Sequence, residues 1–93
     1  MIRSFKCKET EKIFNLEPSR KFPPSIQRVA LRKLRMINQS ISVEDLKVPP
    51  ANRLEKLRGK LAEYYSIRIN DQWRICFKWI NNQAIDVYIV DYH

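Results

Sequence analysis

The sequence predicts an α+β domain in which helices of the first half cover one face of an antiparallel β-sheet formed by the second half. Apolar residues recur at helical spacing up to about residue 40, whereas from Tyr64 onward the hydrophobic period is two. Short polar turns divide the second half into three alternating runs, as in a β-meander. The apolar face of such a sheet needs a cover, which the helices supply. A chain of 93 residues fits one domain, spanning 1–93.

The N-terminal segment predicts two short elements. Alternation in MIRSFKC is typical of a strand, which would join the edge of the sheet. KETEKIFNLE then predicts a helix whose apolar side holds Ile13, Phe14 and Leu16. Pro18 limits this helix, because the residue before a proline disfavours helical geometry.

A longer, basic helix is predicted from Ser25 to Ser40, with Pro24 in its first turn. Its apolar residues recur at helical spacing: Ile26, Val29, Ala30, Leu34 and Ile37. Its other face is predicted to carry basic residues and no acid: Arg28, Arg32, Lys33 and Arg35. These basic residues are given no catalytic role.

A capping box predicts a shorter helix, Val43 to Lys47. Ser42 and Asp45 have the spacing at which each side chain can bond the other residue's backbone N–H. The following VPPANR is predicted to be an irregular loop, because Pro49 and Pro50 lack the backbone donors of regular structure.

The three strands are predicted in YYSIRIN, WRICFKW and AIDVYIVDYH. One face of the sheet would hold apolar side chains against the helices: Tyr65, Ile67, Ile69, Trp73, Ile75, Phe77, Trp79, Ile85, Val87 and Ile89. The opposite face would combine cations with tyrosines: Arg68, Arg74, Lys78, Tyr88 and Tyr92. The aromatic residues of WRICFKW are therefore predicted to belong to the core rather than to stack on bases.

Charge is the strongest compositional feature. The chain has 18 lysines and arginines against 10 aspartates and glutamates, a net charge of +8. Of the basic residues, 15 lie within residues 1–60. Such a surface fits a polyanion or an acidic protein partner. The alternative is a hydrated basic surface that only keeps the protein in solution.

Other features exclude several classes of protein. Cys7 and Cys76 stand far apart and in no motif, so neither a disulfide framework nor a zinc site is predicted, and no other metal or cofactor is expected. Gly59 is the only glycine, which excludes glycine-rich phosphate and dinucleotide loops. Because the sequence has neither a signal pattern nor an apolar run of about 18 residues, we expect a cytoplasmic protein without a membrane partner.

A cationic cleft is predicted where NRLEKLRGKLAEYY meets the polar face of the sheet. This segment adds cations on both sides of the carboxylate Glu55: Arg53, Lys56, Arg58 and Lys60. Basic groups interleaved with tyrosines suit single-stranded nucleic acid, with charges for phosphates and rings for bases. A sheet face that is polar only because it is hydrated is the alternative.

RNA cleavage without a metal needs three kinds of group. A base removes the proton of the 2′-OH, a cation stabilises the phosphorane charge, and an acid protonates the leaving 5′-oxygen. The candidates are Glu55 or His93 as base, His93 or Tyr92 as acid, and Arg74 with Arg68 or Arg58 as phosphate clamp. Arginine suits the clamp because it stays charged and binds phosphate oxygens bidentately. His93 is the only histidine in the chain.

Taken together, these segments resemble the RelE superfamily of bacterial toxins and, within it, the HigB toxins with their GraT-like members. The stretches MIRSF, PPANRLEKLRG, YSIRINDQWRICF and VDYH all fit this family, and the resemblance covers essentially the whole chain. It implies a RelE-like fold and the toxin of a type II toxin–antitoxin system. The implied activity is that of an endoribonuclease that cuts messenger RNA in the decoding site of the ribosome, without a metal.

The resemblance also implies partners. Besides the ribosome and messenger RNA, it implies a HigA-type antitoxin with a helix-turn-helix, which neutralises the toxin. Operator DNA would be contacted only through the toxin–antitoxin complex, and mainly by the antitoxin. The role of the basic helix stays open, since its arginines could contact ribosomal RNA, the antitoxin or only water.

The resemblance implies a role for each site residue that matches a position of the family. Arg74 in QWR matches the arginine that such toxins place at the scissile phosphate, and Asp91, Tyr92 and His93 match their catalytic C-terminal tail. Arg58 stands where HigB toxins commonly have a lysine that contacts RNA. Further RNA contacts are predicted for Arg53, Lys56, Lys60, Arg68 and Lys78.

Glu55 departs from part of the family pattern. One branch of the HigB toxins has a histidine here, whereas the related YoeB toxins have a glutamate that resembles a general base. Glu55 is therefore either the base, with His93 as the acid, or a residue that positions Arg58 through a salt bridge. GraT-like relatives also carry glutamate and resemble mild toxins, so slow cleavage is expected.

Two other functions stay open at this point. A non-catalytic or weakly active module that binds RNA or the ribosome, and is neutralised by an antitoxin, would have the same cationic cleft. A module directed only at proteins would use its basic surface to receive an acidic antitoxin. Salt-dependent ribosome binding by the free protein would argue against the second of these.

Overall fold

The computed structural model of the protein describes residues 1–91, and its elements follow the predicted order. The helices α1 (Lys8–Phe14) and α2 (Pro24–Gln39) come first. Short 3₁₀ turns lie at Val43–Lys47, Pro50–Asn52 and Gly59–Leu61. Within residues 1–91 the strands form an antiparallel sheet in the order β1 (Glu55–Lys56), β2 (Tyr64–Arg68), β3 (Trp73–Ile80) and β4 (Gln83–Asp91). The predicted α+β class is confirmed.

Helix α2 forms where it was predicted, and its apolar stripe packs on the sheet. Its buried apolar residues are Ile26, Ala30, Leu34 and Ile37. The prediction was wrong for Lys33, which was assigned to the basic outer face: only 5% of this residue is exposed. Lys33 lies three residues after Ala30 and four before Ile37, so it shares their side of the helix.

The region after α2 is more regular than predicted. The capping box is present, with the Ser42 hydroxyl accepting from the Glu44 N–H and the Asp45 carboxylate accepting from the Ser42 N–H. It starts the predicted short helix as a 3₁₀ turn. The loop that was predicted to be irregular contains a second such turn, in which the Arg53 N–H donates to the Pro50 carbonyl at 3.0 Å.

The core lies between the helices and one face of the sheet. Ile67, Ile75 and Phe77 have no exposed surface and pack in one cluster with the apolar stripe of α2. Trp73 and Trp79 are partly buried against the same cluster, which confirms their assignment to the core. The cations Arg68, Arg74 and Lys78 are therefore left on the opposite face.

A β-bulge in β4 overturns one assignment. The register shifts between Cys76 and Lys78, so that two residues of β4 oppose one of β3. Asp86 adopts a left-handed φ of 55° at this point. The bulge changes the alternation: Ala84 joins the core, whereas Ile85, predicted to face the helices, pairs with Lys78 on the opposite face.

The N-terminal segment runs parallel to β4 but does not form the predicted regular strand. Isolated bridges at Ile2 and Phe5 join it to β4. Between them, the Ser4 carbonyl accepts from the Val87 N–H at 3.1 Å and the Ser4 hydroxyl accepts from the Asp86 N–H at 2.9 Å. The segment thus provides acceptors for backbone N–H groups at the bulge and stays at the edge of the sheet. The bulge interrupts regular pairing between the segment and β4.

Candidate active site

The face of the sheet that points away from the helices, which we call the open face, holds the predicted site. Directly opposite residues of antiparallel strands share a face. Glu55 of β1 lies opposite Ser66 of β2, and Arg68 of β2 lies opposite Arg74 of β3. Strand β1 was not predicted, yet its pairing with β2 brings Glu55 beside the arginines.

Arg74 is held in a fixed direction on the open face. Only 6% of its surface is exposed. Its Nε donates to the Ser66 hydroxyl at 2.9 Å, and its Nη2 donates to the Arg53 carbonyl at 2.7 Å and to the Ser66 carbonyl at 3.4 Å. These bonds orient the guanidinium before any ligand arrives, as electrostatic catalysis requires. Sequence reasoning missed the role of Ser66, although alternation with Arg68 places it on this face. A backbone acceptor such as the Arg53 carbonyl leaves no sequence signal.

A hollow of about 230 Å³, which we call the arginine hollow, opens beside Arg74. It is lined by Arg53, Glu55, Arg68, Asn70, Asp71 and Arg74. Like charges directly opposite each other destabilise a sheet, and Arg68 and Arg74 are such a pair. Asp71 pairs with Arg68. A phosphate in the hollow would relieve the remaining repulsion, because guanidinium groups bind its oxygens in pairs.

Glu55 lies between the arginine hollow and a second hollow of about 340 Å³. The second hollow is lined by Glu55, Lys56, Leu57, Arg58 and Leu61. Within residues 1–91 no ion pair joins Glu55 to Arg58 or to another cation, so the salt bridge considered above is not formed. Glu55 is an exposed carboxylate beside a phosphate-sized cationic site. This placement suits a general base.

Comparison with known proteins identifies the family. The family HigB-like toxin, described as RelE-like toxin of type II toxin-antitoxin system HigB, matches residues 3–93. The chain belongs to the HigB-like toxin family. Toxin HigB-1 of Vibrio cholerae is 36% identical over 90 residues, which are 96% of this chain and 95% of that protein. Endoribonuclease HigB of Proteus vulgaris is 31% identical over 94 residues, which cover 100% of both chains.

The fold of this HigB-like toxin also has a solved counterpart. The structure titled YoeB-YefM complex from Staphylococcus aureus matches with a TM-score of 0.58 at 19% identity, covering 100% of this chain and 98% of the matched chain. A likeness at this identity supports the fold alone. It confirms the RelE-like arrangement of N-terminal helices on one face of an antiparallel sheet.

Several residues that were predicted to bind RNA lie outside the arginine hollow of this HigB-like toxin. Lys56 turns to the covered side, where its Nζ lies 5.6 Å from the ring centroid of Tyr65. Lys60 is exposed in a 3₁₀ turn. Lys78 lies 3.6 Å from each of two carboxylates, which partly neutralise it. RNA contacts by these lysines stay predictions.

The C-terminal tail is placed only in part. Asp91 pairs with Trp73 at the end of β4, so it lies on the covered side of the sheet, away from Arg74. Its carboxylate accepts a hydrogen bond from the Gln72 side chain at 3.0 Å. Tyr92 and His93 lie outside the described residues, and the catalytic roles of Asp91, Tyr92 and His93 stay predictions.

A tyrosine pair occupies another part of the open face. The rings of Tyr64 and Tyr88 meet edge to face, with centroids 5.7 Å apart. Lys6, which sequence reasoning missed, places its Nζ 5.0 Å from the Tyr88 centroid and 5.5 Å from that of Tyr64. Burial raises the pKa of Tyr88 to about 12, so this phenol stays protonated at neutral pH and does not act as a base.

No helix within residues 1–91 is long and apolar enough to cross a membrane. In the same range, no group of three or more His, Cys, Asp and Glu side chains is arranged to hold a metal ion.

Proposed function

We propose that this HigB-like toxin is an endoribonuclease that cuts messenger RNA on the ribosome and thereby inhibits translation. A relative that matches it over its full length is named Endoribonuclease HigB, which supports this proposal. The observation that carries it is the arginine hollow, where the pre-oriented Arg74 stands with Arg68 beside the carboxylate of Glu55. Attack by a ribose 2′-OH requires cations that bind the phosphate and, beside them, a base that accepts the proton of the hydroxyl.

The scissile phosphate would bind in the arginine hollow against Arg74. Glu55 takes the proton of the 2′-OH, and the 2′-oxygen forms a bond to phosphorus while the bond to the 5′-oxygen breaks. Arg74 and Arg68 stabilise the charge that develops on the non-bridging oxygens. His93 protonates the leaving 5′-oxygen, with Asp91 and Tyr92 completing the tail. The products are a 2′,3′-cyclic phosphate and a 5′-hydroxyl, and the scheme uses no metal.

Membership in a family of type II toxin–antitoxin systems implies a neutralising antitoxin. We propose that this antitoxin is of the HigA type with a helix-turn-helix, that operator DNA is contacted through the complex, and that the toxin acts in the cytoplasm. We also propose that this toxin is GraT-like and cuts RNA slowly, since a glutamate, Glu55, occupies the position of the base.

Cleavage of a defined messenger RNA on programmed ribosomes tests the proposal. The purified protein and its His93 deletion are each treated with EDTA and desalted, so that any metal bound to them is removed before they are added to the ribosomes. We expect cleavage by the wild type and its loss in the deletion. Cleavage that survives the deletion would contradict the role of His93 and leave the chemistry to Glu55 and Arg74. If the wild type binds the ribosome but does not cut the RNA, the protein is a binding module and not a nuclease.

A further inference from the structure

A buried polar pair lies behind the arginine hollow and has no part in the mechanism above. Lys33 of α2 is 5% exposed, and Asn52 of the second 3₁₀ turn has no exposed surface. The Nζ of Lys33 donates to the Asn52 Oδ1 at 2.5 Å. Neither residue lines the hollow, so neither would touch a bound phosphate.

Lys33 occupies a position where an apolar residue would pack. Burial lowers the pKa of its ammonium, and Arg32 lowers it further. Within residues 1–91 no carboxylate forms an ion pair with it. Burying an amine without a carboxylate partner is unfavourable, which indicates that its bond to Asn52 has a function of its own.

That bond fixes the orientation of the Asn52 amide. An ammonium only donates, so it requires the amide oxygen and directs the amide nitrogen to the other side. There the Asn52 Nδ2 donates to the carbonyls of Leu46 at 3.1 Å and Val48 at 3.4 Å. Lys33 and Asn52 together therefore connect α2 to the loop that precedes β1.

The residue that follows is held in a disfavoured conformation. Arg53 has φ 46° and ψ 55°, in the left-handed region that a side chain with a Cβ rarely adopts. Such a conformation persists only where the surroundings determine it, and here Asn52 anchors the preceding residue. In this conformation the Arg53 carbonyl accepts from Arg74 Nη2 at 2.7 Å.

We propose that Lys33 and Asn52 are positioning residues that hold the Arg53 carbonyl in place and thereby orient the guanidinium of Arg74. The proposal deepens the nuclease function proposed above and rests on it. Because the pair acts behind the hollow, its loss lowers the rate of the chemical step and leaves binding of the ribosome complex unchanged. A pair that only stabilised the fold would leave the direction of the Arg74 guanidinium unaltered in the folded protein.

The substitution Lys33→Met tests this, because it removes the ammonium and retains a long apolar side chain. Lys8→Met, at an exposed position of α1, is the matched control. We expect kcat for messenger RNA cleavage to fall about tenfold or more in Lys33→Met, because small misplacements of a catalytic group have large effects on rate. We expect KM for the programmed ribosome to stay within about twofold of the wild type. Lys8→Met should match the wild type in both constants.

A second readout does not depend on cleavage. The guanidinium resonances of ¹⁵N-labelled Arg74 should show slow rotation of the Nη2 group in the wild type and in Lys8→Met, and faster rotation in folded Lys33→Met. If Lys33→Met does not fold, Asn52→Asp takes its place, since it retains the acceptor for Lys33 and loses the donor to Leu46 and Val48; the same changes are expected.

A fall in kcat smaller than about tenfold, or Arg74 resonances that the substitution leaves unchanged, would overturn the proposal. The two failures are distinguishable. If the wild type does not cut RNA, the nuclease function fails, and the Arg74 resonances alone then decide whether the pair positions the guanidinium.

Discussion

The substitution Ser66→Ala is expected to weaken both the fold and the reaction, because a single hydroxyl serves both. Ser66 is fully buried and accepts from Arg74 Nε at 2.9 Å. Alanine leaves the charged Nε of Arg74 without its acceptor. Because Arg74 is only 6% exposed, water is a poor substitute for the lost hydroxyl. Since a hydrogen bond to a charged group contributes about 1.5–3 kcal/mol, we expect the free energy of unfolding to fall by about 2 kcal/mol. For a domain of this size that lowers Tm by roughly 10 °C.

Urea unfolding and cleavage on programmed ribosomes measure the two effects. We expect kcat of Ser66→Ala to fall about tenfold, because the guanidinium loses its fixed direction. Ser19→Ala is the matched control: Ser19 is 8% exposed and its hydroxyl donates to the Glu9 carboxylate at 2.8 Å, away from the arginine hollow. It should lose stability and retain kcat. A loss below about 1 kcal/mol in Ser66→Ala, or an equal fall in kcat in Ser19→Ala, would refute the reasoning.

Three further outcomes are expected. Glu55→Gln should lower kcat at least about 100-fold, because an amide cannot take the proton of the 2′-OH; a kcat within about threefold of the wild type would exclude Glu55 as the base. Arg53→Ala should reduce the slope of log affinity against log salt for single-stranded RNA by about 0.7, and Lys12→Ala should not; equal slopes would remove Arg53 from the RNA site. The pKa of Tyr88 is about 12 in the fold and about 10 when unfolded, so the unfolded chain binds fewer protons between these values and stability falls with rising pH there. Urea midpoints of Tyr88→Phe should fall less over that range, and curves of the same shape for both proteins would contradict this.

Periodicity predicted most of the fold because burial follows the geometry of each element. The apolar spacing from Ile26 to Ile37 fixed the buried stripe of α2, and the alternation around Phe77 fixed the covered face of the sheet. Lys33 was misplaced because residue type was given more weight than angular position, although its spacing from Ala30 and Ile37 already places it on the buried side.

The site was predicted less completely, for physical reasons. Side chains on the open face, such as Arg68 and Arg74, follow from alternation once the strands are known. The position of the β-bulge at Asp86 does not follow from alternation. The shift lies in the pairing of β4 with β3, and it is accompanied by a bond from the Asp86 N–H to Ser4, which is distant in sequence. The Arg53 carbonyl that orients Arg74 belongs to the backbone, and no residue type encodes it.

Single-turnover cleavage of messenger RNA on programmed ribosomes by Arg74→Lys tests most directly whether Arg74 acts on the scissile phosphate. Lysine keeps the charge but has neither the planar fork nor the bonds that Nε and Nη2 make to Ser66 and Arg53. We expect the cleavage rate to fall about 100-fold or more while ribosome binding is retained. A rate within about threefold of the wild type, in a folded variant, would contradict the assignment of the arginine hollow as the active site.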